Sequence, residues 1–233
     1  MSEQKILISG CGLSWSGQER RVWTNILKVA GADIVDVGGP AVSNQWILDQ
    51  AFLTLLENPN ITNAVVQLTN LGKLDVEIDA TRELSLVKSD SIRNFIHKGI
   101  WPSSASQEHL SKKLWYKYLY SPKLEQQEIF CKILLLDNWC ATHNVKLTIL
   151  QGYQITWTDR QLVHLTDKIY NLDSSIWKKY QDSPFYEELD EKNTVPGLDF
   201  QFELVKELTK LVAPALLEKI NYISTQYDQS RNS

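Results

Sequence analysis

Cysteine is scarce in this chain of 233 residues: Cys11, Cys131 and Cys140 form no CxxC pair and no Cys/His metal spacing. An odd count without a pairing pattern argues against a secreted disulfide framework and for a reducing compartment. Long apolar runs are lacking as well. The first apolar stretch, Ile6-Leu7-Ile8, is too short for a signal-peptide core, and no later run reaches the roughly 20 residues of a membrane span. The expectation is a cytoplasmic protein, or one packaged into an assembly such as a virion after cytoplasmic synthesis, with no membrane partner. A surplus of positive charge is missing too. Lys and Arg number 24 against 28 Asp and Glu, a net charge of −4, so no broad basic field points to nucleic acid. There is no Walker loop and no GxGxxG, and the Gly38-Gly39 pair is too short for a dinucleotide fingerprint. No metal and no cofactor are expected. Only four histidines are present, and the last is His164.

What is there is a globular composition. Hydrophobic residues make up 43% and charged residues 22%, ordinary for a folded domain long enough to bury a full core. Eight tryptophans are well above the usual frequency. They read either as core and hydrophobic ledges or as platforms for sugars or protein partners.

Elements alternate along the first 70 residues. Lys5 to Ser9 is a short apolar strand ended by Gly10, and a helix follows from Gln18 to Ala30 with Val22, Ile26 and Val29 on one face. Gly31 closes it. Asp33 to Val37 is a second strand, and Asn44 is the expected N-cap of a helix through Leu56. Asn63 to Thr69 is a third strand. Strand, helix, strand, helix, strand argues for a parallel sheet flanked by helices. Leu74 to Asp79 alternates apolar with acidic residues, as a half-exposed strand would. Helices are expected over 108–119 and 123–143, a strand over 146–150, and an irregular Trp/Tyr-rich segment over 153–196. A helix carries the stripe Val205, Leu208, Leu211 and Val212, with a break at Pro214. The organisation is one domain over 1–225 with an insertion at about 71–145, and a mobile tail over 226–233.

The run Ile8-Ser9-Gly10-Cys11-Gly12-Leu13-Ser14 places a tight glycine loop straight after a strand, where open α/β sheets carry their reactive groups. It resembles the first motif of the SGNH (GDSL-like) hydrolases. With Trp101-Pro102-Ser103-Ser104 it also resembles uncharacterised SGNH-like proteins of marine bacteria and their viruses. The resemblance implies a three-layer α/β/α, flavodoxin-like fold with a parallel sheet and a helical insertion. It also implies a site built from four blocks: a serine nucleophile, an oxyanion hole of two backbone N–H groups and an asparagine amide, and a late Asp-x-x-His.

Carried over by position, Cys11 stands where the family has Asp or Cys, and Gly12 where it has the serine. Val37-Gly38-Gly39-Pro40-Ala41-Val42-Ser43-Asn44 matches the second block with Ala41 for its glycine. Asn70 takes the place of the oxyanion-hole asparagine. The implied cradle is therefore Gly12, Ala41 and Asn70, with Asn70 alternatively a turn residue ending its strand. Asp199 stands where the family's acid lies, but Phe202 fills the histidine position. The catalytic candidates reduce to Ser14, Cys11 and Asp199, none with an evident base. Joint restoration, Gly12→Ser with Phe202→His, is expected to raise ester hydrolysis above either single change.

Trp15, Ser43, Asn44, Trp115, Tyr116 and Tyr120 are candidate binding residues. Within Trp115-Tyr116-Lys117-Tyr118-Leu119-Tyr120, Trp115 and Leu119 share one helical face and Tyr116 and Tyr120 the next. That arc reads as core, or as a surface for a glycan or a protein partner, which leaves an oligomer open. Asp75, Glu77 and Asp79 read as a solvated strand face, or as carboxylates for a metal or for acid–base work. His97, His109 and His143 read as loop or helix-surface residues. Two functions follow. One is a catalytically degenerate hydrolase-like protein that binds glycans or joins an assembly. The other is a divergent carbohydrate O-acyl esterase using Ser14.

Overall fold

The inner strands of the sheet are short apolar runs buried on both faces, which explains why they lack polar alternation, whereas the edge strand Asp33–Asp36 is only partly buried. The computed structural model describes residues 5–11, 23–39, 42–72, 120–186 and 196–231. The strands are β1 (Lys5–Ser9), β2 (Asp33–Asp36), β3 (Ile61–Leu68) and β4 (Lys146–Gln151). All pair in parallel in the order β2-β1-β3-β4. Ser9 lies opposite Val66, and Leu68 opposite Gln151. A single bridge from Ile149 to Ile169 runs along the outer side of β4.

Seven α-helices are described: α1 (Trp23–Val29), α2 (Asn44–Glu57), α3 (Pro122–Thr142), α4 (Asp159–Leu165), α5 (Ile176–Gln181), α6 (Leu198–Val212) and α7 (Leu217–Arg231). From β1 the chain crosses by α1 to β2, then returns by α2 past β1 to β3. Right-handed crossovers in opposite directions put α1 and α2 on opposite faces, giving a three-layer α/β/α architecture. On one face α2 packs on β1, β3 and α3, and on the other α1 packs with α6.

Several boundaries differ from the sequence reading. In α1 the buried residues are Trp23, Thr24, Ile26 and Leu27. Val29 is 69% exposed, and the buried arc runs instead through Trp23 and Leu27. The cap of α2 is Ser43, whose Oγ accepts the Trp46 N–H at 3.1 Å; Asn44 is the first helical residue, and its side chain turns towards β3. The segment expected to be irregular carries two short helices started by Thr158 and Ser175 caps, the first a capping box with Gln161. α6 begins at Leu198, and Pro214 ends it in a 3-10 turn over Pro214–Leu216. Residues 226–231 of the expected tail belong to α7. The expected strand over 74–79 and helix over 108–119 lie outside the described residues.

Tryptophan serves the core wherever it is described. Trp23 and Trp157 are buried, and Trp46, Trp139 and Trp177 pack partly buried against the same cluster.

Candidate functional site at the carboxyl edge of the sheet

The chain leaves β1 towards β2 and leaves β3 towards β4, so the connections diverge at the β1/β3 carboxyl edge. That switch point is where open α/β sheets bind ligands. The β2 end closes on β1: Val37 donates to the Ile8 carbonyl at 2.9 Å and Gly39 to the Gly10 carbonyl at 3.0 Å. The first two sequence blocks are thereby adjacent. Ser9 is buried, its hydroxyl donating to the Ile47 carbonyl at 2.8 Å.

Side-chain amides organise this edge. Asn44 Oδ1 accepts the Thr69 N–H at 2.7 Å, and its Nδ2 donates to the Thr69 carbonyl at 3.0 Å and the Asn70 carbonyl at 3.4 Å. The side chain acts as a strand partner for the last residues of the third block. Asn44, expected to bind, is fully buried with both amide ends engaged, so its role is to hold the loop after β3. Ser43, 3% exposed, caps α2. Both depart from the binding expectation for one reason: their polar atoms satisfy backbone groups that the fold would otherwise strand.

Asn70 is half-buried and hangs from this clamp. Its Oδ1 accepts from the Thr69 hydroxyl at 3.1 Å, which leaves the Nδ2 hydrogens to donate elsewhere, as an oxyanion or hydroxyl would need.

A second amide clamp mirrors the first. Gln151 N–H donates to Asn171 Oδ1 at 2.7 Å, and Asn171 Nδ2 donates to the Gln151 carbonyl at 2.9 Å. The Gln151 side chain donates to the Asn171 and Leu172 carbonyls and accepts from the Ile155 N–H and the Trp157 indole. Gly152 follows, donating to the Leu68 carbonyl at 2.8 Å. A Cβ there would stand 2.7 Å from that oxygen and 2.8 Å from Gln67 Nε2, so only glycine fits.

Cys11 is 2% exposed, and Gln67 Nε2 donates to its Sγ at 3.3 Å. Gln67 is fully buried, and its Oε1 has no hydrogen-bond partner. Beside them stands Tyr153, stacked on Trp177 at 5.7 Å. Burial, and secondarily the charge of Cys11, push its phenol well above the usual range. The sequence reading passed over Gln67, Gln151 and Tyr153; the available signal was an uncharged amide near the end of each of two otherwise apolar strands.

Tyr120, a predicted binding residue, donates its hydroxyl to Glu125 Oε2 at 2.7 Å, and Gly72 N–H donates to the same oxygen at 2.8 Å. The described ends of the insertion thus meet on one carboxylate beside the loop that follows β3. Asp199 lies in the first turn of α6, whose start is tied to α1 by the Trp23 N–H donating to Gln201 Oε1 at 3.0 Å. Phe202 is 6% exposed, its ring 5.4 Å from that of Tyr227 in α7. The described histidines lie elsewhere. His143 stacks on Trp139 at 4.0 Å at the α3 terminus leading into the start of β4, and His164 packs near Phe130. Gly12, Ser14, Trp15, Ala41, Trp115 and Tyr116 lie outside the described residues, as do Asp75, Glu77, Asp79, His97 and His109.

Among the described residues no group of three or more His, Cys, Asp or Glu could hold a metal ion, and no helix is long and apolar enough to cross a membrane. No family model matches the chain, and no curated protein sequence matches it. Solved structures similar to it include the following three. A protein assigned to the lipolytic G-D-S-L family from Desulfitobacterium hafniense DCB-2 has a TM-score of 0.48 at 9% identity, over 90% of this chain and 99% of that one. TesA has a TM-score of 0.49 at 12% identity, over 91% and 99%. The psychrotrophic esterase EstA from Pseudoalteromonas sp., inhibited by monoethylphosphonate, has a TM-score of 0.47 at 13% identity, over 92% and 99%. These likenesses concern the path of the chain and assign no role to any residue.

Proposed function

We propose that this protein is a catalytically degenerate, hydrolase-like binding protein that holds a neutral glycan at the β1/β3 carboxyl edge, as part of an assembly such as a virion or a surface layer. The observation that carries the reading is the chemistry of the edge. Asn70 offers an amide donor, and Asn44, Gln151 and Asn171 hold the surrounding backbone in place. Sugar hydroxyls pair with such neutral donors and acceptors. Acyl transfer needs an activated nucleophile and a base oriented towards it, and the position matched to the family's histidine is Phe202, packed against Tyr227.

That packing changes one expectation. A histidine at 202 would be buried beside Tyr227 in the α6–α7 contact, so Gly12→Ser with Phe202→His is now expected to leave ester hydrolysis at background.

The test incubates the full chain with a p-nitrophenyl acyl ester series and a fluorophosphonate probe, then titrates it with methyl glycosides by calorimetry. Saccharide binding with background hydrolysis and no probe labelling supports the reading. Hydrolysis by the natural protein that disappears in Ser14→Ala overturns it in favour of an O-acyl esterase.

A further inference from the structure

Away from the carboxyl edge, α2 and α3 lie side by side in one register. The Gln45 side chain donates to Glu128 and Lys132 to Asp49, both across 83 positions. One turn further on, Phe52 meets Trp139 edge-on at 5.8 Å. The contacts climb both helices together, and they change from polar to apolar on the way. Between the helices lies an open groove of about 520 Å³, within the range of small-molecule sites. Its lining comes wholly from described residues of α2, of α3 and of the α3 cap His143. Leu48, Phe52, Leu136 and Trp139 form the walls, and Leu135, 69% exposed, stands on the lip. From Lys132 to His143 the helix rises about 16 Å. Packed helices stand about 8–10 Å apart, so the groove is narrow as well as long.

Polar groups keep to its ends. Lys132 Nζ meets both carboxylate oxygens of Asp49, at 2.5 and 2.7 Å, so that end carries no net charge. At the other, the Thr142 hydroxyl donates to the Asn138 carbonyl, and His143 Nδ1 lies 2.8 Å from the Trp139 carbonyl. A carbonyl only accepts, so Nδ1 holds the hydrogen and Nε2 is the acceptor of the neutral ring.

The geometry points to a second binding site: the α2/α3 groove takes an uncharged straight-chain amphiphile, its alkyl chain along Phe52, Leu135 and Trp139 and its hydroxyl donating to His143 Nε2. A long, narrow, carbon-lined channel suits an extended chain better than a ring. A charged head would be desolvated on carbon or would displace one member of the Asp49–Lys132 pair. The site is independent of what the carboxyl edge binds.

The full chain is titrated by calorimetry at about pH 8, where a histidine ring is neutral. The ligands are 1-octanol, 1-decanol, decanoate and methyl decyl ether, each below micelle formation. Wild type should bind decanol saturably, about tenfold tighter than octanol for the two added methylenes, and tighter than decanoate or the ether. His143→Phe keeps a ring on Trp139 but no acceptor. It should bind decanol about threefold to tenfold weaker and no longer prefer it to the ether. Leu135→Glu should weaken decanol at least tenfold, while Leu124→Glu, at another exposed leucine of α3 outside the lining, should change nothing. Both leucines face solvent, so the fold tolerates these changes. Absence of saturable decanol binding would overturn the inference, as would decanoate binding as tightly or equal behaviour of the two leucine variants. A preference for the alcohol that persists in His143→Phe would overturn the place given to the hydroxyl. Sedimentation of the unliganded chain tests the other occupant: an oligomer that Leu135→Glu dissociates would assign the groove to a second copy and overturn the ligand.

Discussion

Replacing Asn44 by leucine should be among the most damaging single changes outside the apolar core. The side chain supplies the acceptor for the Thr69 N–H at 2.7 Å and a donor to the Thr69 carbonyl at 3.0 Å, and both residues are fully buried. Leucine has similar volume and excludes water from the gap, so both backbone groups lose their partners without replacement. At about 1–3 kcal/mol for each orphaned group the loss is roughly 2–6 kcal/mol. The better helix propensity of leucine returns only about 0.5 kcal/mol. Against a typical domain stability of about 5–15 kcal/mol this is a large fraction. Asn44→Asp should separate the two bonds. One carboxylate oxygen still accepts the Thr69 N–H, while the other faces the Thr69 carbonyl and favours the protonated acid. The folded-state pKa of the introduced carboxyl is thus raised, so the variant should be closest to wild type below about pH 4 and lose stability as pH rises through that value. Urea unfolding followed by circular dichroism measures both variants, with an unchanged slope required for the comparison. A loss below about 1 kcal/mol for Asn44→Leu would refute the clamp.

Gly152→Ala should cost about 1–3 kcal/mol, because its Cβ would stand 2.7 Å from the Leu68 carbonyl; a wild-type urea midpoint would contradict the tight approach. Iodoacetamide on the native protein should modify the exposed Cys131 and spare Cys11 and Cys140. For Cys140 the protection has a second source, since burial, aided by Asp137, pushes its thiol up to about 12; mass spectrometry should find three adducts only in denaturant. Tyr170 is 43% exposed, so its pKa is pushed from 10.0 up to about 12 by partial desolvation together with its hydrogen bond and proximity to Glu207, which the exposed position leaves as the firmer cause. Its folded-state value is raised, so the stability it contributes is whole below pH 10 and is lost as pH rises towards 12. Tyr170→Phe should flatten the difference between unfolding midpoints at about pH 9 and about pH 11; an unchanged difference would remove Tyr170 from the account.

The sheet could be read from the sequence because parallel strands are buried on both faces. Runs such as Ile6-Leu7-Ile8 and Ala64-Val65-Val66 therefore contain nothing that must face water. The helical spacing of Ile47, Leu48, Ala51 and Leu55 survives for a related reason, one face of α2 meeting the sheet. Local chemistry also marked Pro214 as a break and Gly31, at φ 96°, as a helix end. α4 and α5 escaped because helices of seven and six residues complete too few turns to show a period; their caps were the only local signal.

The site was legible only as a place. Strand ends followed by glycine or asparagine marked the edge, but what each polar side chain does there depends on partners far along the chain. Asn44 meets a residue 25 positions on, Asn171 one 20 positions back, and Cys11 meets Gln67 across 56 positions. Sequence spacing carries no record of such pairs. Nor could it separate Gln151, fully satisfied, from Gln67, which is left with an open acceptor, since both are uncharged amides near the ends of apolar strands. Phe202 shows the same division: position in the chain matched it to a histidine, and only the packing of α6 on α7 decided that its ring meets Tyr227. Patterns of burial are written locally, one residue against water. The direction and partner of a buried polar group are settled by whichever distant backbone the fold brings within about 3 Å of it.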